Sequence, residues 1–229
     1  MNKFNTEHYI AELKSDFRKA ANEANQRPME QYMKDQFSFY GIKATNRRKV
    51  SQKYMEKECR PPFEYLENVV KELWQLPQRE FQYFGVELTE KYTTHFQQDS
   101  LSLIEFMITQ KPWWDTVDHI AKKLAGAYLL KFPKAKNKTT EKWVNSGDLW
   151  LQRTALLFQL SFKEQTDNEL LFTLINQLKA REDFFIQKAI GWALREYSKT
   201  APDKVKVFVS AIQLSNLSKR EAMKVIERK

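Results

Sequence analysis

The sequence predicts an all-α protein, a curved solenoid of paired helices, and three observations carry that prediction. Gly and Pro are scarce, 5 and 7 in 229 residues, which disfavours turn-rich β architectures. No stretch alternates apolar and polar residues as a half-buried strand would, and no hairpin turn interrupts the series. Helix starts recur at a period of about 35 residues, the length of one helical pair in a stacked array.

The elements follow in order. Pro28 suits the first turn of a helix over residues 29–40, with Gly41 as its C-terminal stop. Thr45 is read as the N-cap of a helix over 46–57. Pro61 and Pro62 open a helix ending near Trp74, and Pro77 opens another through Tyr92. Ser100, Ser146 or Asp148, Thr166 and Asp183 supply further caps, and Ser218 caps a last helix reaching Lys229. About a dozen helices result. With 42% hydrophobic and 14% aromatic residues there is enough apolar material to bury a real core, and the sequence reads as one domain over 1–229.

The repeat is visible in Arg79-Glu80-Phe81-Gln82, Trp114-Asp115-Thr116, Trp150-Leu151-Gln152 and Phe185-Ile186-Gln187. Each opens the second helix of a pair. The pattern is degenerate, so tetratricopeptide-like and HEAT-like readings are both open, although the W-x₂-L-G-x₂-Y signature is absent. The second helices of such a stack line its concave side. If Gln82, Thr116, Gln152 and Gln187 are equivalent, Trp114, Asp118, Arg153, Trp192 and Arg195 come from successive repeats to one groove.

Within the run Trp113-Trp114-Asp115-Thr116-Val117-Asp118, helical geometry puts Trp114 and Asp118 one above the other on one face. An indole beside a carboxylate can hold a cation by π face and charge together. The plainer reading is a packed tryptophan and a solvated aspartate. Asp115, turned off that face, reads as capping or structural. Arg153 lies between Leu149-Trp150-Leu151 and Leu156-Leu157-Phe158, so its charge needs a partner, Asp118 or a phosphate.

The formal charge is +9 with a pI near 9.4, which points to a polyanionic partner, nucleic acid first and anionic membrane second. No run approaches the ~20 apolar residues of a membrane span, and the N-terminus lacks the apolar core of a signal peptide. Three histidines and the lone Cys59 have no zinc-ligand spacing, and no glycine-rich phosphate loop is present, so neither metal nor cofactor is expected. One cysteine excludes an internal disulfide and fits a cytoplasmic protein.

These stretches together resemble the AlkD-type DNA alkylation repair glycosylases, built from HEAT-like helical repeats. The likeness is carried by Arg27-Pro28-Met29 to Lys34, Glu72-Leu73-Trp74-Gln75-Leu76-Pro77 through Gln82, the Trp113–Asp118 run, Leu149-Trp150-Leu151-Gln152-Arg153, Phe184 through Tyr197, and Leu217 through Ala222. It runs from about residue 25 to the C-terminus; residues 1–25 match only loosely. The resemblance implies excision of N3- and N7-alkylated purines, such as 3-methyladenine and 7-methylguanine, from duplex DNA. It assigns the catalytic carboxylate to Asp118, the cleft tryptophans to Trp114 and Trp192, the backbone and active-site arginine to Arg153, and a tyrosine near the lesion to Tyr32.

The residue types agree with that chemistry independently. A purine alkylated at N3 or N7 is already cationic, so it can leave without a general acid, and one carboxylate suffices to stabilise an oxocarbenium-like sugar. For phosphate contact the candidates are Arg47, Arg48 and Lys49 after the Thr45 cap, with Lys188, Arg195, Lys219 and Arg220. The run Lys134–Lys138 and the terminal Glu227-Arg228-Lys229 read as solvated loop and terminus. The sequence thus predicts a monomeric DNA glycosylase. A non-catalytic DNA-structure-binding protein and a protein-binding solenoid are the alternatives, and Asp118 is the residue a pure binder would not need.

Overall fold

The computed structural model describes residues 4–227, and they form helices with no strand beyond one isolated parallel bridge between Ser38 and Gln78. The all-α prediction holds. Two compact units make up the protein, Met1–Phe96 and Gln97–Lys229.

The first unit contains α1 (Thr6–Lys19), α2 (Glu23–Tyr32), α3 (Ala44–Met55), α4 (Phe63–Gln75) and α5 (Arg79–Glu90). Asn5 caps α1 by accepting from His8 N–H, and α1 buries Tyr9, Ile10, Leu13 and Phe17 along one stripe. Phe17 stacks on Phe81 of α5 at 5.3 Å. At Gly85 a Cβ would come within 2.7 Å of the Trp74 ring, so glycine lets α4 and α5 close up.

α2 departs from expectation. It starts at Glu23, under the Asn22 cap, so Pro28 lies inside it. It stops at Tyr32 in a Schellman closure: Asp35 N–H donates to Glu30 C=O and Lys34 N–H to Gln31 C=O, with Lys34 at φ 57°. Gly41 terminates no helix. Its φ of +77° turns the 33–43 segment back onto α2, where a Cβ would sit 2.1 Å from Asn22 O. The turn is held by the buried Glu80 carboxylate, which accepts from Tyr40 and Ile42 N–H at 3.1 Å each. Thr45 is likewise not a cap, because α3 begins one residue earlier behind Lys43.

The second unit contains α6 (Ser100–Thr109), then α7 (Trp114–His119), a π-helical segment (Ile120–Ala125) and α8 (Gly126–Lys131) in continuous succession. There follow α9 (Lys136–Asn145), α10 (Leu149–Leu157), α11 (Asn168–Leu178), α12 (Phe184–Tyr197), α13 (Pro202–Ala211) and α14 (Asn216–Met223). Asp148 caps α10 as expected, accepting from Trp150 and Leu151 N–H at 2.8 Å. Asp167, not Thr166, caps α11, and Ser215, not Ser218, caps α14. That last helix ends at Met223; Arg228 and Lys229 lie outside the described residues. Lys136, expected in solvent, is half-buried and paired with Asp167.

α10 is the axis of this unit, packing against α6, α7, α9, α11 and α12, with every residue from Trp150 to Leu157 buried. The expected repeat register holds for the three glutamines and not for Thr116, which is the third residue of α7. Gln82 is the fourth residue of α5 and donates through Nε2 to Leu73 and Leu76 C=O. Gln152 is the fourth residue of α10 and donates in the same way to Val144 C=O, at 2.8 Å. In both cases the glutamine ties its helix to the C-terminal end of the preceding one. Gln187 holds the matching position on α12, but its amide reaches Glu182 C=O instead.

Candidate active site

Asp118 is the fifth residue of α7 and Arg153 the fifth of α10, and the packing of these two helices brings them face to face. Arg153 Nε donates to Asp118 Oδ1 at 2.7 Å and Nη2 to Oδ2 at 2.8 Å. The two side chains are 6% and 16% exposed, so this bidentate pair is well removed from water. The partner that Arg153 required is therefore Asp118. A third donor, Nη1, is bonded to the backbone C=O of Phe185. Burial pushes the Asp118 carboxyl above its ordinary range and the Asp115 charge adds to this, against the opposing pull of the Arg153 hydrogen bonds and charge.

A cluster of three rings meets the pair at Arg153 through Phe185. Trp113, Trp150 and Phe185 lie 5.0–5.7 Å apart centre to centre, and the Arg153 guanidinium carbon is 5.8 Å from the Phe185 centroid. Trp114 is one turn ahead of Asp118 on the same α7 face and is half-buried. Trp192, also half-buried, lies on α12, which packs against α10. A carboxylate anchored by a guanidinium, with a partly open indole one turn ahead on its own helix, can stabilise a cation.

Lys188, Trp192 and Arg195 fall on one face of α12 at i, i+4 and i+7. Lys188 and Arg195 converge on Glu221 of α14, at 3.1 and 2.7 Å, and Lys224 joins them. Three cations around one carboxylate leave excess positive charge. The Lys224 hydrogen bond, helped by Lys188, draws the Glu221 carboxyl down to about 2. Gly191 permits this approach, since a Cβ there would lie 2.5 Å from Glu221 Cβ. Lys219 and Arg220 are exposed on α14.

The other candidates lie in the first unit. Tyr32 ends α2 and is 67% exposed. Arg47 requires correction: it is buried, with Nη1 and Nη2 held by the two Glu87 oxygens at 2.8 and 2.9 Å, so its guanidinium has no face turned to solvent. Arg48, with 63% of its side chain exposed, is the outward member and touches Glu87 through Nε alone. Burial raises Glu87, but the hydrogen bonds and charges of Arg47 and Arg48 together hold it below the ordinary range.

Sequence reasoning missed Glu87, Glu221 and Lys224, and it missed Trp113, Trp150 and Phe185 as neighbours of the charged pair. For the rings a signal existed: one aromatic recurs per repeat, at or just before the start of the second helix. For the carboxylates the signal was slight: Glu221 and Lys224 are spaced i,i+3, but Glu87 is remote in sequence from Arg47 and Arg48, and Glu221 from Lys188 and Arg195.

Among the described residues no group of three His, Cys, Asp or Glu side chains gathers to hold a metal, and no helix is long and apolar enough to cross a membrane. Among curated proteins nothing matches this sequence. A solved structure described as a predicted DNA alkylation repair enzyme from Enterococcus faecalis is 32% identical, with a TM-score of 0.85 over 91% of this chain and 98% of that one. The sequence pattern of the DNA alkylation repair enzyme family matches residues 13–226, a span that takes in α7, α10 and α12 with all their charged and aromatic side chains. The protein therefore belongs to the DNA alkylation repair enzyme family.

Proposed function

We propose that the protein is a monofunctional DNA glycosylase that releases cationic N3- and N7-alkylated purines from duplex DNA. The observation that carries this reading is the buried, bidentate Asp118–Arg153 pair with Trp114 one turn away. Arg153 occupies two of about four acceptor positions on the carboxylate, leaving lone pairs for a sugar or a water. It also opposes the effect of burial, so that Asp118 can work as an anion.

The bond between C1′ and the alkylated purine breaks with its electron pair moving to the base nitrogen, which becomes neutral. Asp118 stabilises the oxocarbenium-like sugar, and Trp114 and Trp192 add π-face attraction of about 0.5–2 kcal/mol each. Water then adds at C1′, its proton passing through Asp118 to solvent, and an abasic sugar remains. No general acid is needed because the leaving group enters the reaction positively charged. Arg48, Lys188, Arg195, Lys219 and Arg220 grip phosphates, with Tyr32 near the lesion. The protein acts as a monomer in the cytoplasm.

The test is release of 3-methyladenine and 7-methylguanine from methylated duplex DNA under single-turnover conditions. Wild type should release both, and Asp118→Asn should lower the rate by about 100-fold or more while still binding DNA. DNA binding without base release by wild type would favour the non-catalytic binder. Undiminished release by Asp118→Asn would remove Asp118 from the mechanism.

A further inference from the structure

We infer that Phe185 is a positioning residue for the Asp118–Arg153 pair, acting through a seat whose other walls are Trp113 and Trp150. The inference rests on Asp118 being the catalytic carboxylate. Three helices build the site, and each contributes one ring to the seat. Trp113 immediately precedes α7, which carries Asp118; Trp150 is on α10 with Arg153; Phe185 is on α12 with Trp192. Fixing the rings against one another therefore fixes the three helix starts that aim the reacting groups.

The seat grips Arg153 by two means. The Phe185 carbonyl takes the one guanidinium nitrogen that Asp118 does not, and the Phe185 ring flanks the guanidinium carbon at 5.8 Å. With all three nitrogens engaged, the guanidinium plane cannot turn without giving up a bond, so both Asp118 oxygens keep one orientation. The Trp113 indole N–H is buried with no hydrogen-bond partner. Such a donor is costly to leave unmade, and a phenylalanine would avoid the cost. Its ring is retained at the packing contacts with Trp150 (5.7 Å) and Phe185 (5.4 Å). Removing the Phe185 ring opens the space beside the guanidinium to water, and the pair loosens as its surroundings become more polar.

The test compares Phe185→Leu with Phe185→Tyr, which keeps the ring. Solvent exchange of the Arg153 Nε–H is followed by nitrogen-15 NMR, with the resonance identified by its loss in Arg153→Lys. It should be about tenfold faster in Phe185→Leu and unchanged in Phe185→Tyr. Single-turnover 7-methylguanine release should fall by about tenfold to 100-fold in the leucine variant. Its acid limb should move to higher pH, because Asp118 loses part of the bond that keeps it ionised. Trp150→Phe, a milder change, should shift both readouts in the same direction if Phe185→Leu does not fold. Unchanged exchange and an unmoved acid limb, with only a lower urea midpoint, would show Phe185 to be ordinary packing and overturn the inference. If wild type releases no base, the glycosylase reading fails, while the exchange measurement still decides whether the seat holds Arg153.

Discussion

Replacing Arg153 with methionine removes the guanidinium, keeps an unbranched stem in the same space, and strands Asp118. Both side chains are nearly out of water, at 6% and 16% exposure, so the change falls close to the limit in which one member of a buried pair is deleted. That costs about 3–5 kcal/mol, chiefly because the remaining charge is buried alone. At about 2–4 °C per kcal/mol for a protein of this size, the melting temperature should fall by roughly 10 °C at neutral pH. The loss should also depend on pH, with a sign fixed by Asp118. Its folded carboxyl already titrates above the ordinary range because burial outweighs Arg153, and without Arg153 it rises further. Above the unfolded value near about 4, the folded state then holds a proton that the unfolded state has released, so stability falls as pH rises. The deficit of Arg153→Met against wild type should be smallest near about pH 4 and grow towards neutrality. Urea titrations at several pH values, followed by tryptophan fluorescence, report on the correct unit, since five of the six tryptophans lie in 97–229. Adding Asp118→Asn should return most of the lost stability by removing the stranded charge. A deficit that is flat with pH and not relieved by Asp118→Asn would refute the reasoning.

Two further outcomes are expected. Glu221 is held down to about 2 by its cations, so it stabilises the fold above its unfolded value and that contribution is lost as the pH falls from about 4.3 towards 2. Glu221→Gln should therefore be less stable than wild type at neutral pH, the two should converge in acid, and the freed Lys188, Arg195 and Lys224 should steepen the salt dependence of DNA binding. In the first unit, Arg47→Ala should lower the urea midpoint by stranding Glu87, whereas Arg48→Ala should leave it nearly unchanged. Arg48→Ala should instead flatten the slope of log affinity against log salt by about 0.9, the value of one phosphate contact.

The sequence by itself determined the helical class and the register shared by Gln82, Gln152 and Gln187, and it offered Asp118 and Arg153 as candidates. Those are properties of composition and of local periodicity. Scarce Gly and Pro disfavour turn-rich β architectures, and the recurring glutamines mark the starts of α5, α10 and α12. The 3.6-residue turn separates Asp118 from Asp115. Tertiary structure decided which charges are spent on one another. Arg47 and Arg48 are neighbours in sequence and equivalent in charge, yet Glu87, arriving on α5, buries one and leaves the other outside. Arg153 could have faced a phosphate or Asp118, and only the packing of α10 against α7 settles it. Local signals failed where backbone closure overrode propensity. The helix expected to begin at Pro28 begins behind Asn22 and ends in a Schellman turn, because Gly41 and Glu80 fold the following segment back. The Trp113-Trp114-Asp115-Thr116-Val117-Asp118 run named the carboxylate. The rings and the carbonyl that hold its arginine in place belong to three different helices, and one segment of sequence cannot show what packing brings to it.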